Sequence, residues 1–232
     1  MSGQELLKSN LRIFFVFSII LLVISLQDKA LATANDPNRQ VCYRLRLNGS
    51  ENPMGIDDQR FRLSWILPAG IVVDRFQVVV GTDPETLNQK ENLFWDSGER
   101  KAADCNVTEY QGKPVPPSTR VYWQVRVWPE GSNKPIAWSE IAYWETGLSL
   151  DADAWEGSEW IAHVKPMPEG PELHNELFRN VFDLPNKPVA SARLYVGTPG
   201  FFQAWINGQQ LSNIPCDPIP SRSLKRIYYR TF

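Results

Sequence analysis

Closely spaced acidic side chains are the residues of this sequence that could most directly do chemistry. Inverting hydrolysis of a glycosidic bond needs a carboxylic acid and a carboxylate held about 6.5–9.5 Å apart across a pocket. Every such pair here falls in a loop with Arg or Lys neighbours or in a short acidic connector, which is typical of solvated turns. We predict no catalytic residue among the candidate pairs, which are Asp57 with Asp58, Glu99 with Asp104, and Asp151 with Asp153.

Nucleophilic and metal-binding patterns are also missing from the sequence. Ser97 and Gly98 do not belong to a Gly-x-Ser-x-Gly turn, and after Asp96 they predict an ordinary turn. The cysteines have no CxxC spacing and the histidines have no ligand partner nearby, so we predict no metal and no cofactor. The cysteines are interpreted as buried or partly buried thiols with at most one disulfide, and a bridge between Cys42 and Cys105 stays open. The residues concerned are Cys42, Cys105, Cys216, His163 and His174.

The nine tryptophans raise the separate possibility of sugar binding, because indole faces stack on the apolar faces of sugars. Four of them lie among alternating apolar residues, where a core position is predicted. The other four that we consider are candidates for exposed stacking surfaces, although no binding residue is assigned. The predicted core set is Trp65, Trp123, Trp144 and Trp160, and the exposed set is Trp128, Trp138, Trp155 and Trp205.

The overall charge argues against nucleic acid as a partner. The formal net charge is −2, the pI is about 5.8, and no block of like charges occurs that would attract phosphate or an anionic membrane surface.

The first 34 residues are typical of a secretory signal peptide. Lys8 and Arg12 precede an apolar stretch, residues 13–26, and small residues that suit a signal peptidase follow near Ala32 or Ala34. A membrane anchor is the alternative, but the stretch would span only roughly 21 Å as a helix against a hydrocarbon core of about 30 Å. We therefore expect a secreted or periplasmic protein that is free of the membrane after cleavage.

Beyond Ala34 the apolar residues alternate with period two between clusters of Pro, Gly, Asn and Asp, which predicts an all-β fold. Short strands of this kind predict a β-sandwich over residues 41–147. The predicted strands are residues 41–47, 60–67, 75–81, 93–96, 105–110, 120–128 and 141–145.

Two aromatic residues favour a fibronectin type III or immunoglobulin-like sandwich. Trp65 lies where an early strand buries a tryptophan, and Tyr122 lies where a tyrosine corner is expected, on the outer face of its sheet. Alternation along the same strand predicts that Trp123, Val125 and Val127 face the core.

A break in the alternation predicts a linker at residues 148–157 and a second β-sandwich at residues 158–232. Asn207-Gly208 is a strong hairpin signal in this module. Its last predicted strand runs to Phe232, so we expect this sandwich to be incomplete. The predicted strands are residues 160–164, 177–184, 190–196, 201–206 and 227–232.

Over residues 41–232 the chain resembles the N-terminal part of bacterial α-L-rhamnosidases, through a series of short segments in a fixed order. Residues 214–226 match less well than their surroundings. The segments are Asn52-Pro53-Met54-Gly55-Ile56-Asp57, residues 61–65, Trp95-Asp96-Ser97-Gly98, Tyr110-Gln111-Gly112, Tyr122-Trp123, residues 125–128, Trp138-Ser139, Glu145-Thr146-Gly147-Leu148, Trp160-Ile161, Phe178-Arg179, Phe182, Ala192-Arg193-Leu194-Tyr195, Gly200-Phe201, Ile206-Asn207-Gly208 and Tyr229-Arg230-Thr231.

The resemblance implies a jelly-roll-like second module and a secreted glycoside hydrolase whose catalytic (α/α)₆ barrel is not part of this sequence. The first hypothesis is therefore an accessory region that packs against a catalytic barrel encoded downstream or separately, with no activity of its own. The alternative is a secreted carbohydrate-binding or adhesion module, whose partner would be a rhamnose-containing glycan. A scaffold tethered to the inner membrane is a third reading, if the signal segment stays uncleaved.

Overall fold

A computed structural model describes residues 40–58, 60–102, 106–149, 151–155, 157–162, 177–184, 186–214, 217–218, 225 and 227–232. The chain divides into two compact units, of which the first ends at Thr146 and the second begins at Gly147. The predicted domain and linker bounds stay predictions. The predicted signal peptide, Asp104, Cys105, Cys216, His163 and His174 lie outside the described residues.

The first unit contains a three-stranded and a five-stranded antiparallel sheet. The strands are β1 (Tyr43–Leu47), β2 (Arg62–Ile66), β3 (Val73–Gly81), β4 (Leu93–Asp96), β5 (Arg100–Lys101), β6 (Val107–Glu109), β7 (Arg120–Pro129) and β8 (Ala142–Glu145). The three-stranded sheet has the order β1-β2-β6, and the five-stranded sheet has the order β4-β3-β7-β8 with β5 also paired to β3.

The core of the first unit lies between these two sheets. Trp65 on β2 packs against Phe76 on β3 with their rings 5.4 Å apart, so the inner faces of the sheets meet through aromatic contacts. Trp123, Val125 and Val127 are buried on the inner face of β7, which confirms the predicted alternation. Together with buried Trp65 and Trp144, they confirm the all-β sandwich prediction for this unit.

Each strand predicted for the first module overlaps an observed strand, but β5 was not predicted. Its two residues lie in the charged run Glu99-Arg100-Lys101, where no apolar alternation exists to indicate a strand.

The predicted tyrosine corner at Tyr122 is wrong. Tyr122 is half-buried beside Tyr143, with the ring centres 6.3 Å apart, and its hydroxyl has no hydrogen-bond partner among the described residues. A tyrosine-to-backbone bond is made instead by Tyr110, whose hydroxyl donates to the Lys113 carbonyl at 2.6 Å. Burial raises the pKa of Tyr110 to about 12, so this hydroxyl stays a donor at neutral pH.

The second unit has two antiparallel strand pairs among its described residues. The strands are β9 (Tyr195–Gly197), β10 (Trp205–Ile206), β11 (Gln209–Gln210) and β12 (Tyr229–Thr231). A hairpin joins β10 to β11 through Asn207 and Gly208, both with positive φ, as the sequence predicted. The other pair joins β9 to β12, and a short 3₁₀ helix precedes it at Ala152–Trp155.

Several strands predicted for the second unit are shorter or do not form. Residues 177–184 are not a strand, nor are residues 160–162 of the strand predicted at 160–164, whose last two residues lie outside the described residues. Trp160 is 72% exposed instead of buried. The physical reason is that alternation is a property of one segment alone, whereas a β-strand forms only if a neighbouring strand pairs with its backbone hydrogen-bonding groups. The strands predicted at 190–196, 201–206 and 227–232 overlap shorter observed strands at residues 195–197, 205–206 and 229–231.

Candidate functional site

The outer face of the five-stranded sheet in the first unit carries an unusual concentration of aromatic and charged side chains. On β3 and β7 the apolar residues Phe76, Val78 and Val125 turn inward, so alternation turns their neighbours outward. The strand register then places the outward residues side by side, as the pairs Arg75 with Trp128 and Gln77 with Arg126.

Two arginines and two tryptophans form a stack on this face, which we call the Arg–Trp ladder. The guanidinium carbon of Arg126 lies 4.9 Å from the centre of the Trp128 ring and 4.5 Å from that of Trp138. The guanidinium carbon of Arg75 lies 5.4 Å from the centre of the Trp128 ring. The order of side chains in the ladder is therefore Trp138, Arg126, Trp128, Arg75. Each cation–π contact of this type contributes about 0.5–2 kcal/mol, depending on how far it is desolvated.

A hydrogen-bonded network fixes Arg126 from the side of β3 and β4. Its Nε and Nη2 donate to the Oε1 of Gln77 at 3.1 and 2.8 Å. The Nε2 of Gln77 in turn donates to the Oδ1 of Asp96 at 2.5 Å, and Lys90 Nζ lies 2.7 Å from the Oδ2 of Asp96. The network thus connects three elements of the sheet through side chains alone.

Asp96 is the acidic centre of this network and stays ionised. Partial burial acts to raise its pKa, but hydrogen bonds from Lys90, Gln77 and the Gly98 amide outweigh it and lower the pKa below the ordinary value. The bond from Gly98 also confirms the turn predicted for Asp96, Ser97 and Gly98. A carboxylate held in this form serves as an acceptor and is poorly suited to donate a proton.

The other acidic candidates are engaged by neighbours. Asp58 accepts from the amide of Arg60 at 2.9 Å, Glu99 is ion-paired with Arg75, and Asp151 accepts from the hydroxyl of Ser149 at 2.6 Å. Asp104 and the side chain of Asp153 lie outside the described residues. Within the part of the chain that the structure describes, no group of three or more His, Cys, Asp or Glu is placed to hold a metal ion.

The tryptophans divide differently from the prediction. Trp128 was predicted as an exposed candidate, but it is only 2% exposed because Arg75 and Arg126 both stack on its ring. Trp138 is half-buried with one face against Arg126. Trp155 and Trp205, at 38% and 50% exposed, remain the candidates for stacking on a sugar.

Two residues of structural importance were not singled out from the sequence. Glu145 is buried on β8 and forms an ion pair with Arg120, whose Nε lies 3.0 Å from Oε2 and whose guanidinium carbon lies 4.3 Å from the centre of the Tyr143 ring. Gly112 lies so close to its surroundings that a Cβ there would be 2.5 Å from both Trp95 Cβ and the Tyr110 hydroxyl. The only sequence signal for either was its place in a segment shared with rhamnosidases.

The chain is similar to known proteins over most of its length. The sequence model of one family, described as the Rha78A-like, N-terminal immunoglobulin domain, matches residues 42–149. Two α-L-rhamnosidases of Formosa agariphila are 27% and 32% identical over 92% and 79% of this chain, which are 24% and 20% of those proteins. The chain therefore spans about a quarter or less of the length of these relatives.

A solved structure shows the same fold. The crystal structure of an α-L-rhamnosidase from Aspergillus terreus matches 83% of this chain and 21% of its own, with a TM-score of 0.56 and 16% identity.

Proposed function

We propose that the chain is the accessory N-terminal region of an α-L-rhamnosidase and acts by supporting a catalytic domain, because residues 42–149 match the sequence model of the Rha78A-like, N-terminal immunoglobulin domain. The observation that carries this proposal is the partial match to the relatives. They are α-L-rhamnosidases, yet they share with this chain only 24% and 20% of their length. The hydrolytic groups of such a protein would then lie in the remainder, which accords with the structural roles of the described carboxylates here.

The surface of the second unit supports a role in packing against further polypeptide. In residues 177–184, the apolar side chains of Leu177, Val181 and Phe182 are all more than two-thirds exposed, and Trp160 and Ile161 are similarly uncovered. Exposed apolar groups of this density are typical of surfaces that another polypeptide covers. The proposed cover is the catalytic region that the relatives carry.

A domain exchange tests this function. In the 32% identical Formosa agariphila relative, the matched N-terminal region is either deleted or replaced by residues 40–232 of this chain. A matched control carries the same replacement with Gly112→Ala, which disturbs the core of the first unit. We expect the replacement to restore soluble, rhamnoside-hydrolysing protein, and the deletion and the control to fall well below it. A replacement no better than the deletion would contradict the accessory role.

A second candidate function is carbohydrate binding by a non-catalytic module, with rhamnose-containing glycans as the proposed partners. The specific observation in its favour is Trp205, which is half-exposed in the β10–β11 hairpin next to exposed Ile206. Titration with L-rhamnose, followed by tryptophan fluorescence, tests it with Trp205→Ala as the variant and Trp160→Ala as the exposed control. Saturable quenching that only Trp205→Ala abolishes would support this function, and no quenching would remove it.

Secretion is proposed on the sequence pattern of residues 1–34, with cleavage near Ala32 or Ala34. Among the described residues, no helix is long and apolar enough to cross a membrane. Mass spectrometry of the mature N-terminus in the native host tests the proposal: a start just after Ala32 or Ala34 supports it, and an intact Met1 contradicts it.

A further inference from the structure

The segment that joins the alternating patterns of the two modules has an ordered local structure. Ser149 Oγ donates to Asp151 Oδ2 at 2.6 Å and accepts from the Asp151 amide at 3.2 Å. The Ala154 amide then donates to the Asp151 carbonyl at 3.1 Å, within the turn that leads into the 3₁₀ helix Ala152–Trp155. An acidic segment of this composition would be expected to stay extended and solvated as a linker. Instead it forms a hydrogen-bonded turn.

Tyr229 on β12 contacts this segment at two points. Its hydroxyl accepts a hydrogen bond from the Leu148 amide at 3.0 Å. Its ring also meets the ring of Trp155 edge-on, with centres 5.6 Å apart and an interplanar angle of 81°. One side chain therefore holds both ends of the segment, at Leu148 and at Trp155.

The neighbouring strand β9 also packs against Trp155. Gly197 pairs with Tyr229 across the two strands, and a Cβ at Gly197 would lie 3.8 Å from the Trp155 ring. Tyr195, two residues earlier on β9, has its ring 6.1 Å from that of Tyr229. The indole thus lies against β9 and β12 beside Gly197, at ordinary van der Waals distance.

We propose that residues 148–149 and 151–155, which we call the strap, hold β12 on β9 by binding Tyr229. A single pair of three-residue strands, continued only by the two backbone bonds between Leu194 and Phe232, is marginal without additional packing. The strap supplies that packing from a distant part of the sequence. It makes the order of β12 depend on Trp155 and on the Tyr229 hydroxyl, and it is a device that the accessory function does not itself require.

Amide hydrogen exchange on the full chain, resolved residue by residue by NMR, tests the strap. In the wild type we expect the Leu148 amide to exchange at least tenfold more slowly than an unstructured peptide. Tyr229→Phe removes the hydroxyl that accepts from the Leu148 amide and should release Leu148 while leaving the ring contact. Trp155→Ala should in addition speed exchange at residues 229–231 at least tenfold. The matched control is Trp205→Ala, an exposed indole in the β10–β11 hairpin, which should leave all of these rates unchanged.

Conservative rescue separates the strap from a general loss of folding. Trp155→Phe keeps an aromatic edge against Tyr229, so it should recover most of the protection that Trp155→Ala loses. Rapid exchange of Leu148 in the wild type would overturn the proposal without any variant. Equal protection of residues 229–231 in the wild type and in Trp155→Ala would also overturn it, whereas the accessory function would be unaffected by either result.

Discussion

The guanidinium carbon of Arg126 lies 4.5 Å from the centre of the Trp138 ring, across the boundary between β7 and an irregular segment that follows it. Backbone bonds from the Ile136 and Ser139 amides to Val127 and Val125 hold this segment beside β7. The cation–π contact fastens the same segment through side chains on the outer face. Where β8 no longer pairs with β7, the edge of β7 is therefore covered by a segment that is not itself a strand.

Replacing Arg126 by lysine should destabilise the first unit although the charge is kept. Lysine cannot provide both hydrogen bonds to Gln77 or the planar stack between Trp128 and Trp138. We expect a loss of about 1–2 kcal/mol in the free energy of unfolding, measured with urea. The control is Arg62→Lys, an exposed ion pair to Glu109, which should change it by less than about 0.5 kcal/mol. Equal effects of the two variants would contradict a structural role for the ladder.

Gly112→Ala should be strongly destabilising. The added Cβ would lie 2.5 Å from Trp95 Cβ and 2.6 Å from the Phe94 carbonyl, so backbone and core must both shift. Overpacking of this kind typically costs about 1–3 kcal/mol. Gly200→Ala is the matched control, because a Cβ there meets nothing within 4 Å. Thermal unfolding of both variants checks the expectation, and an unchanged melting temperature in Gly112→Ala would refute the packing argument.

Glu145→Gln should weaken the anchoring of β8. Arg120 would lose its charged partner in a site where the glutamate side chain is only 3% exposed. Breaking a buried pair costs about 3–5 kcal/mol, and because Arg120 is nearly one-third exposed we expect roughly 1–3 kcal/mol. Urea unfolding of this variant is compared with Glu109→Gln, an exposed glutamate. If the two variants lose the same small amount of stability, the pair contributes no more than a surface contact.

The ionised form of Asp96 should contribute stability that depends on pH in one direction. Burial acts to raise its pKa, but the bonds from Lys90, Gln77 and Gly98 lower the folded-state pKa below 3.8. The contribution is then complete above the unfolded-state pKa and is lost as the pH falls through the folded-state pKa. Asp96→Asn should therefore be less stable than the wild type at pH 7, and the difference should shrink below about pH 4. Asp74→Asn is the control, and a difference that grows on acidification would contradict the shift.

The sequence predicts the first unit well because apolar alternation identifies the inward and outward faces of its strands. Along β7, alternation separates Trp123, Val125 and Val127 from the opposite set, and the core confirms the division. Alternation does not tell what covers the outer face, so Trp128 was expected to be exposed although Arg75 and Arg126 bury it. Residues 177–184 failed as a strand for a related reason, since pairing depends on a neighbour that one segment does not encode. The need for glycine at position 112 could not be predicted, because it depends on how closely Trp95 and Tyr110 approach that position in the folded chain.

The measurement that tests the central claim most directly is the hydrolysis of a chromogenic α-L-rhamnoside by the purified chain. A full-length α-L-rhamnosidase of Formosa agariphila serves as the positive control, and circular dichroism verifies that the sample is folded as β-structure. The accessory role predicts no release of the chromophore above the blank from a folded sample. Release that persists through purification and scales with the concentration of the chain would contradict it and require an acid–base pair within these 232 residues.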